Sequence, residues 1–524
     1  MTRNSVIITL SVLLVIGNVG FLYADDNTTQ KAVPLQNTNS TAAPVTTKPP
    51  ATTQAPASTT KPKIIIKDSE LCKKCSCDIQ YLQIDCSNKS MTSLFSAEEW
   101  QTLQNGDVLF EIMKLNHNEI SYIPVLPTYP VKSLYLSFNK INNISIGAFQ
   151  NLSQLTVLDL SNNKLTSKIL KPHVFKGMYA ADKYEPLKNL RTLDLAYNEL
   201  HTLNSDLFEH LPDLETLILC KNTFHIIDPS TTIAIASLNS LKTLDISYME
   251  LSELPDTLFH SPIELETLIL TGNLFHTLPA ALSRTKHLKK LVLDENPLSD
   301  FDNTNVFKSL GELEYLSISY LEDVTKIGPW ALSDLQNLTT LIAANNPHLS
   351  SIHELAFTKN TTNPDLFDYP PLKKLYLHNN NLTTIEHNWV VRWQTITELD
   401  LRFNPWTCDC TNSWFIHSLM KQINNTTPLL THDVNCAAPL AWKNKPLLEL
   451  SADNKELVCE NASHPENDSL ILVGILVGVL IGIPLTLGGL VIYRKGCFGL
   501  LNRRNPGTDR SLYNRASFAD EFHI

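Results

Sequence analysis

Several absences narrow the function before anything present is weighed. The chain contains no HExxH, no GxSxG and no P-loop, and its 16 histidines are scattered through repeat loops. The metalloprotease, serine-hydrolase and nucleotide-hydrolase chemistries those motifs serve are therefore without a candidate, and no catalytic residue, metal ligand or cofactor is assigned. Positive charge is also short: 53 Asp and Glu outweigh 42 Lys and Arg, for a net charge of −11. Residues 494 to 524 hold six basic against three acidic side chains, so the remainder stands near −14. An acidic exterior argues against nucleic acid or heparin as the main partner and leaves a local basic patch open. Nor is there an overall bias to disorder, since 43% hydrophobic and 18% charged residues make a globular profile with room for more than one domain.

Two apolar stretches set the expected compartment. "VIITLSVLLVIG" follows Met1, Thr2 and Arg3 and ends in small residues near Ala24. It is too short to span a bilayer and has the form of a secretory signal peptide over residues 1–24, with an uncleaved anchor as the alternative. "LILVGILVGVLIGIPLTLGGLVIY", residues 470–493, holds no charge. As a helix it would be about 36 Å long, enough to cross a hydrocarbon core of about 30 Å. Arg494 and Lys495 follow at once, which predicts a cytosolic tail over 494–524 and an exterior over 25–469. The expectation is a single-pass type I plasma-membrane protein. Candidate N-glycosylation triplets agree, beginning at Asn27, Asn39, Asn88, Asn143, Asn151, Asn337, Asn360, Asn381, Asn424, Asn425, Asn461 and Asn467, with none in the tail.

Between these ends the chain divides by composition. The segment after the signal is rich in Thr, Pro and Ala ("STAAPVTTKPPATTQAPASTTKPK") with almost no large apolar side chain, so it cannot bury enough surface to offset its ordering entropy. We bound this disordered, O-glycosylated arm at 25–69. From 110 to 404 the sequence repeats: "LTVLDLSNNKL" (155–165), "LRTLDLAYNEL" (190–200), "LETLILTGNLF" (265–275) and "LKKLYLHNNNL" (372–382) all fit L-x-x-L-x-L-x-x-N-x-L. Twelve copies are counted, with ninth positions at Asn118, Asn139, Asn163, Asn198, Asn222, Met249, Asn273, Asn296, Leu321, Asn346, Asn380 and Asn404.

The central L-x-L alternates as a short strand does, turning leucines such as Leu158 and Leu160 inward. One copy cannot bury its leucines alone, so stacked copies are expected to form a curved parallel sheet whose asparagines bond the backbone of adjacent turns. A recurring Phe-x-x-Leu-x-x-Leu, as at Phe149, Phe208 and Phe307, should stack as a spine behind that sheet. Met249 and Leu321 cannot make an amide's bonds, and a local bend or a water is expected at each. Two long spacings, containing "KILKPHVFKGMYAADKYEP" and "FTKNTTNPDLFDYPP", should bulge from the convex side or an edge.

A solenoid needs lids, and the ten cysteines fall where lids belong. Cys72, Cys75, Cys77 and Cys86 precede the first copy within 70–109; Cys408, Cys410, Cys436 and Cys459 follow the last within 405–460, before a linker at 461–469. Spacing alone allows three pairings per cluster, and "NPWTCDCTN" with His417 and His432 nearby has also the look of a zinc or redox site. Here the chain resembles the extracellular leucine-rich repeat proteins, the group that includes Slit, the small proteoglycans and Toll receptor ectodomains, without a Toll signalling domain. The resemblance covers roughly 70–460. It implies an α/β leucine-rich repeat solenoid of about twelve repeats with disulfide caps, to which the apolar stretch adds one transmembrane helix. It implies the pairs Cys72–Cys77, Cys75–Cys86, Cys408–Cys436 and Cys410–Cys459, and it says little about a ligand. Cys220, at the seventh position of its copy, is expected to be a free, half-buried thiol, with an intermolecular disulfide as the alternative.

Binding is expected on the concave strand face, at exposed positions that include Lys114, Tyr135, Asp159, Asp194, Ile218, Asp245, Ser317, Tyr376 and Asp400. Beside the asparagines runs a broken aromatic row, Phe138, Tyr197, Tyr248, Tyr320 and Phe403, of the kind that anchors protein partners. Gly474, Gly478 and Gly482 recur every four residues in the apolar stretch, a spacing that lets two helices approach and would support a homodimer. Cys497 is a candidate for palmitoylation, and Phe522 with Ile524 at the carboxyl end is a candidate ligand for a cytoplasmic PDZ partner. The functional expectation is a protein-binding surface molecule acting in adhesion or as a receptor or co-receptor. An innate-immune recognition subunit signalling through a partner and a glycosylated structural shield are the alternatives.

Overall fold

The computed structural model describes residues 64–180, 183–299, 301, 307–359, 369–389, 393–459 and 465–494, all within the second of two compact units, Pro62–Ile524. Twelve three-residue strands, from Ile112–Lys114 to Glu398–Asp400, lie parallel and in chain order in one 14-stranded sheet. We number the turns of chain that carry them rungs 1 to 12, from the rung of Asn118 to that of Asn404. Register is kept from rung to rung, so Leu158 faces Leu193, Leu193 faces Leu217 and Leu217 faces Leu244. The middle residue of each strand, leucine in all but the first (Met113), is buried, and its neighbours are half-buried except Ser317 and Asp400, which are buried. The period-two pattern thus gives one leucine column to the core and two flanking columns to the open face.

The asparagines stitch the rungs. Asn139 donates from Nδ2 to the carbonyls of Leu136 (2.9 Å) and Leu115 (3.0 Å), and its Oδ1 accepts from the Ile120 amide (3.1 Å). Of the bend or water expected at Met249 and Leu321, the bend does not occur. Strand register is unbroken on either side. The reason is that each ladder asparagine serves two rungs. Asn273 Oδ1 accepts from the amides of Met249 (3.1 Å) and Leu251 (3.0 Å) while its Nδ2 reaches Ile246 O (2.9 Å). Asn346 does the same for the Leu321 amide (2.8 Å) and Ile318 O (3.1 Å). Freed from polar duty, Met249 and Leu321 fill the core and are fully buried.

Behind the sheet the phenylalanines stack, Phe149 on Phe175 with ring centres 6.3 Å apart. Phe175 lies inside the first long spacing, so that insert is two pieces around a spine residue: a turn at Pro172–Val174 before it and an antiparallel hairpin, Met178–Ala180 with Lys183–Glu185, after it. In the second long spacing Phe357 and Thr358 are buried, and 360–368 lie outside the described residues.

At the amino-terminal end Cys72 is bonded to Cys77 and Cys75 to Cys86. The cap also takes in residues that composition assigns to the arm. Ile64 bridges to Gly106, Ile66 is fully buried, and the Ile66 amide donates to Asp107 Oδ1 at 2.9 Å. Of three consecutive isoleucines, Ile66 supplies the buried apolar side chain, while Ile64 and Ile65 stay exposed. At the other end Cys408 is bonded to Cys436 and Cys410 to Cys459, closing separations of 28 and 49 residues. Loops of that size stabilise by about 3–4 kcal/mol each in the chain-entropy account. Trp406 plugs the last rung, fully buried, its indole N–H bonded to Leu401 O at 3.0 Å.

A 30-residue helix, Pro465–Arg494, follows. Its side chains are described from 475 to 491 and nearly all are exposed. Among the described residues no helix is long and apolar enough to cross a membrane.

Candidate functional site

In every rung the residue before the ladder position has a left-handed backbone, with φ between 52° and 66° from His117 through Tyr197, Tyr248 and Gly272 to Phe403. For a side chain other than glycine that conformation costs on the order of 1 kcal/mol, and it turns the side chain outward at the corner where the strand ends. Phe138, Tyr197, Tyr320 and Phe403 occupy that corner and are about half exposed, from 47% to 54%. Sequence pattern finds these aromatics; the corner geometry explains why they stay in solvent rather than joining the core.

Tyr248 differs from the other four. Its hydroxyl donates to Glu295 Oε1 at 2.9 Å and the Lys221 ammonium sits 3.3 Å from its ring centre. A Cβ on Gly272 would come within 2.2 Å of that ring, so the glycine is what lets the tyrosine lie down. Tyr248 is consequently half-buried and held on three sides. At the start of the row His117 stacks on Phe138 with ring centres 4.3 Å apart.

Towards the other end Tyr320 and Phe403 flank a shallow concavity of about 520 Å³, completed by Glu322, Asn345, Pro347, Asn379 and Asn380. Asn379 Nδ2 donates to Asn345 Oδ1 at 2.9 Å, laying an amide floor between the rings. Glu322, Pro347 and the two corner asparagines were not legible as site residues, although Asn345 and Asn379 precede ladder asparagines just as the aromatics do.

On the strand face Tyr135 and Tyr376 are half-buried, and Tyr376 donates its hydroxyl to Glu398, which also pairs with Lys374 at 2.6 Å. Asp159, Asp194 and Asp245 are half-buried in rungs 3, 4 and 6, with Ile218 of rung 5 between the last two. Burial pushes the Asp194 carboxyl up to about 7, with Asp159 and Asp245 adding to the rise against a hydrogen bond from the Ala196 amide. Burial likewise raises Asp245, against hydrogen bonds from Ser247. Cys220 forms no disulfide, and its thiol is pushed up to about 12 by burial and by Asp245 and Asp194, against a hydrogen bond with Ser247 and the charge of Lys221. None of the strand-face positions expected to be exposed is fully so; all are half-buried except two, which are buried. Ser317 is buried and donates to Asp294 (2.7 Å), and Asp400 is buried between Arg402 (2.7 and 2.8 Å) and His378 (3.2 Å). Each has found a polar partner that lets it leave solvent.

Of the candidate glycosylation sites, Asn88, Asn143, Asn337, Asn381 and Asn425 are exposed and Asn151 and Asn424 half-buried, none of them on a rung strand. Asn151 and Asn337 use their amide nitrogens to bond Leu126 O (2.8 Å) and Gly311 O (3.0 Å). Asn467 and Gly474 fall in the last helix, where a Cβ on Gly478 or Gly482 would meet nothing. Asn27, Asn39, Asn360, Asn461, Cys497, Phe522 and Ile524 lie outside the described residues, as do residues 1–24 and the arm up to residue 63. Among the described residues no group of His, Cys, Asp and Glu could hold a metal ion.

Comparison with known proteins matches residues 130–180, 188–242 and 239–298 to the leucine rich repeat model, and residues 303–402 to the BspA type leucine rich repeat region. Fibromodulin of Gallus gallus is 30% identical over 309 residues, covering 55% of this chain and 75% of that protein. Lumican of Homo sapiens is 30% identical over 215 residues, 38% of this chain and 61% of that one. Tsukushi of Gallus gallus is 29% identical over 222 residues, 42% and 49% of the two chains. The match thus spans about half to three quarters of these relatives.

Proposed function

Because the chain belongs to the leucine-rich repeat family, we propose that it is a cell-surface protein whose solenoid binds a protein ligand, in adhesion or as a receptor or co-receptor. The observation that carries the reading is the corner row. Phe138, Tyr197, Tyr320 and Phe403 hold large apolar surface in solvent at fixed backbone geometry, along one edge of a sheet face that bears no glycosylation triplet on its strands. Exposed aromatics with few rotatable bonds lose little entropy when covered, which is why they dominate protein interfaces. The concavity between Tyr320 and Phe403 offers a pocket for one anchoring side chain of a partner.

Surface placement rests on the sequence: the charge-free residues 470–493 would rise about 36 Å as a helix, against a hydrocarbon core of about 30 Å, with Arg494 and Lys495 on the cytosolic side. In that setting Gly474, Gly478 and Gly482 would let a second copy pack closely, Cys497 would be open to palmitoylation, and the carboxyl end at Phe522 and Ile524 would suit a PDZ domain.

Cell-surface proximity labelling identifies the ligand. Alanine at Tyr197 and Tyr320 should then weaken its binding by about 2 kcal/mol or more, near thirtyfold. Unchanged affinity in the double variant overturns the corner row as the binding edge.

A further inference from the structure

The concavity between Tyr320 and Phe403 is built from four successive corners. Rungs 9 to 12 place Tyr320, Asn345, Asn379 and Phe403 there, an aromatic at each end and two amides between, all with φ between 55° and 58°. Backbone bonds tie these corners rung to rung: the Tyr320 amide donates to Ala344 O (3.2 Å), the Asn345 amide to His378 O (2.9 Å) and the Asn379 amide to Arg402 O (3.0 Å). The concavity is therefore part of the solenoid frame rather than of a loop.

Its lining mixes ring faces with neutral polar groups. After the bond between their side chains, Asn345 keeps both N–H donors of its amide, and Asn379 keeps one donor and its carbonyl oxygen. Glu322 is the one carboxylate in the lining, exposed and without a cationic partner among the described residues. The Arg402 guanidinium stands 5.9 Å from the Phe403 ring but is already engaged by Asp400. Donors and acceptors side by side between aromatic faces suit a sugar, whose hydroxyls both give and accept hydrogen bonds and whose C–H face packs on a ring.

A point of attachment for such a sugar stands at the rim. Glu322 and Pro347 line the concavity from the position that follows the ladder residue in rungs 9 and 10. The same position in rung 11 is Asn381, which directly follows the lining residues Asn379 and Asn380 and whose backbone amide donates to Leu349 O in rung 10 at 2.9 Å. Asn381 is exposed, and its side chain makes no hydrogen bond among the described residues. It begins the triplet Asn381-Leu382-Thr383, and of the twelve candidate triplets it alone starts at that position of the repeat.

We propose that an N-linked glycan on Asn381 folds back into this concavity, its inner N-acetylglucosamine units lying on the Asn345–Asn379 floor between Tyr320 and Phe403. The proposal rests on the surface reading above, since such glycans are added in the secretory lumen. Attachment at the rim makes the seating intramolecular, with an effective concentration of about millimolar or more, so weak contacts suffice. A seated glycan and a partner's anchoring side chain exclude each other, and glycosylation of Asn381 thereby decides whether the concavity is open to a partner.

The test uses the full chain from cultured mammalian cells, held folded in detergent micelles and treated with peptide N-glycosidase. Release converts the asparagine to aspartate, which peptide mass spectrometry reads site by site. The enzyme needs the sugar core free, so the rate of release follows the unseated fraction. Release at Asn381 should be about fivefold or more slower than at the exposed Asn143. Tyr320→Ala with Phe403→Ala should bring the two rates together, an unchanged rate at Asn143 reporting an intact fold, while Tyr197→Ala in rung 4 should alter neither. Equal rates at Asn381 and Asn143 in the native protein overturn the proposal, as does slow release at Asn381 that persists in the double variant. Glycan on Asn143 with none on Asn381 also overturns it and leaves the surface reading standing, whereas no glycan on any triplet overturns both.

Discussion

Asp194 in rung 4 and Asp400 in rung 12 stand at the same position of the repeat, the last residue of the strand, yet their carboxyls are driven in opposite directions. Asp194 faces Asp159 and Ile218 across its neighbouring rungs, and the residue two places on is Ala196. Burial there is opposed by the Ala196 amide but by no cation, and the carboxyl rises to about 7. At Asp400 burial would also raise the carboxyl, but Arg402 two places on and His378 in the adjacent rung reverse it and hold it well below the carboxylate range. Identical backbone geometry therefore leaves the charge state of the concave face to the seventh-position side chains. Asp194 is poised near neutrality while Asp400 is locked as the anion.

The largest way to break this difference is to remove the lock. Arg402→Ala would leave a buried carboxylate with His378 alone, and losing one partner of a buried pair costs about 3–5 kcal/mol. Because each rung leans chiefly on its neighbours, the loss should be confined to the last rungs and the carboxy-terminal cap. Amide exchange should accelerate from 374 to 400 and stay unchanged before 300; uniform protection throughout would contradict the local role assigned to Arg402.

A smaller effect of opposite sign is expected at Asp194. A carboxyl whose folded value lies above its unfolded value of 3.8 binds more protons when folded between the two, so stability falls as pH rises from about 4 to about 7 and then levels. Asp194→Asn should remove that slope and stabilise the protein above pH 7 by on the order of 3 kcal/mol, with little change below pH 4. Thermal melts from pH 4 to 8 read this directly. A native protein whose melting point rises over that range at the expense of the variant's would reverse the sign.

Periodicity carried most of the fold, because leucine spacing and asparagine position are consequences of stacking that every rung must satisfy. Twelve ninth positions map onto twelve rungs in one sheet. Where the pattern broke, at Met249 and Leu321, the expected bend did not follow, since the bonds come from Asn273 and Asn346 in the next rungs and cannot be seen within a single copy. The aromatic corner was legible as residues, but its left-handed backbone and the concavity between Tyr320 and Phe403 were not, because they join side chains about 80 positions apart in the chain. Asp400 and Ser317 were placed on the surface for a similar reason: periodicity gives a side chain's direction and is silent on what it meets there. The split of the first insert around Phe175 was hidden because composition does not tell a spine phenylalanine from one in a loop.

The most demanding test builds the lock where it is missing. Ala196 holds the seventh position of rung 4 that Arg402 holds in rung 12, and Asp194 accepts from its amide at 2.9 Å, as Asp400 accepts from the Arg402 amide at 3.2 Å. Ala196→Arg should let a guanidinium fold back on Asp194 and pull its carboxyl below about 5. Most of the charge would come from one added hydrogen-bonded pair, while the desolvation of the carboxyl remains, so the net gain above pH 7 should be only about 1 kcal/mol. The sharper readout is the titration itself. A carboxyl resonance for Asp194 that still moves near pH 7 in the variant would mean that Asp159, Asp245 and the buried strand face, rather than the missing seventh-position cation, set its value.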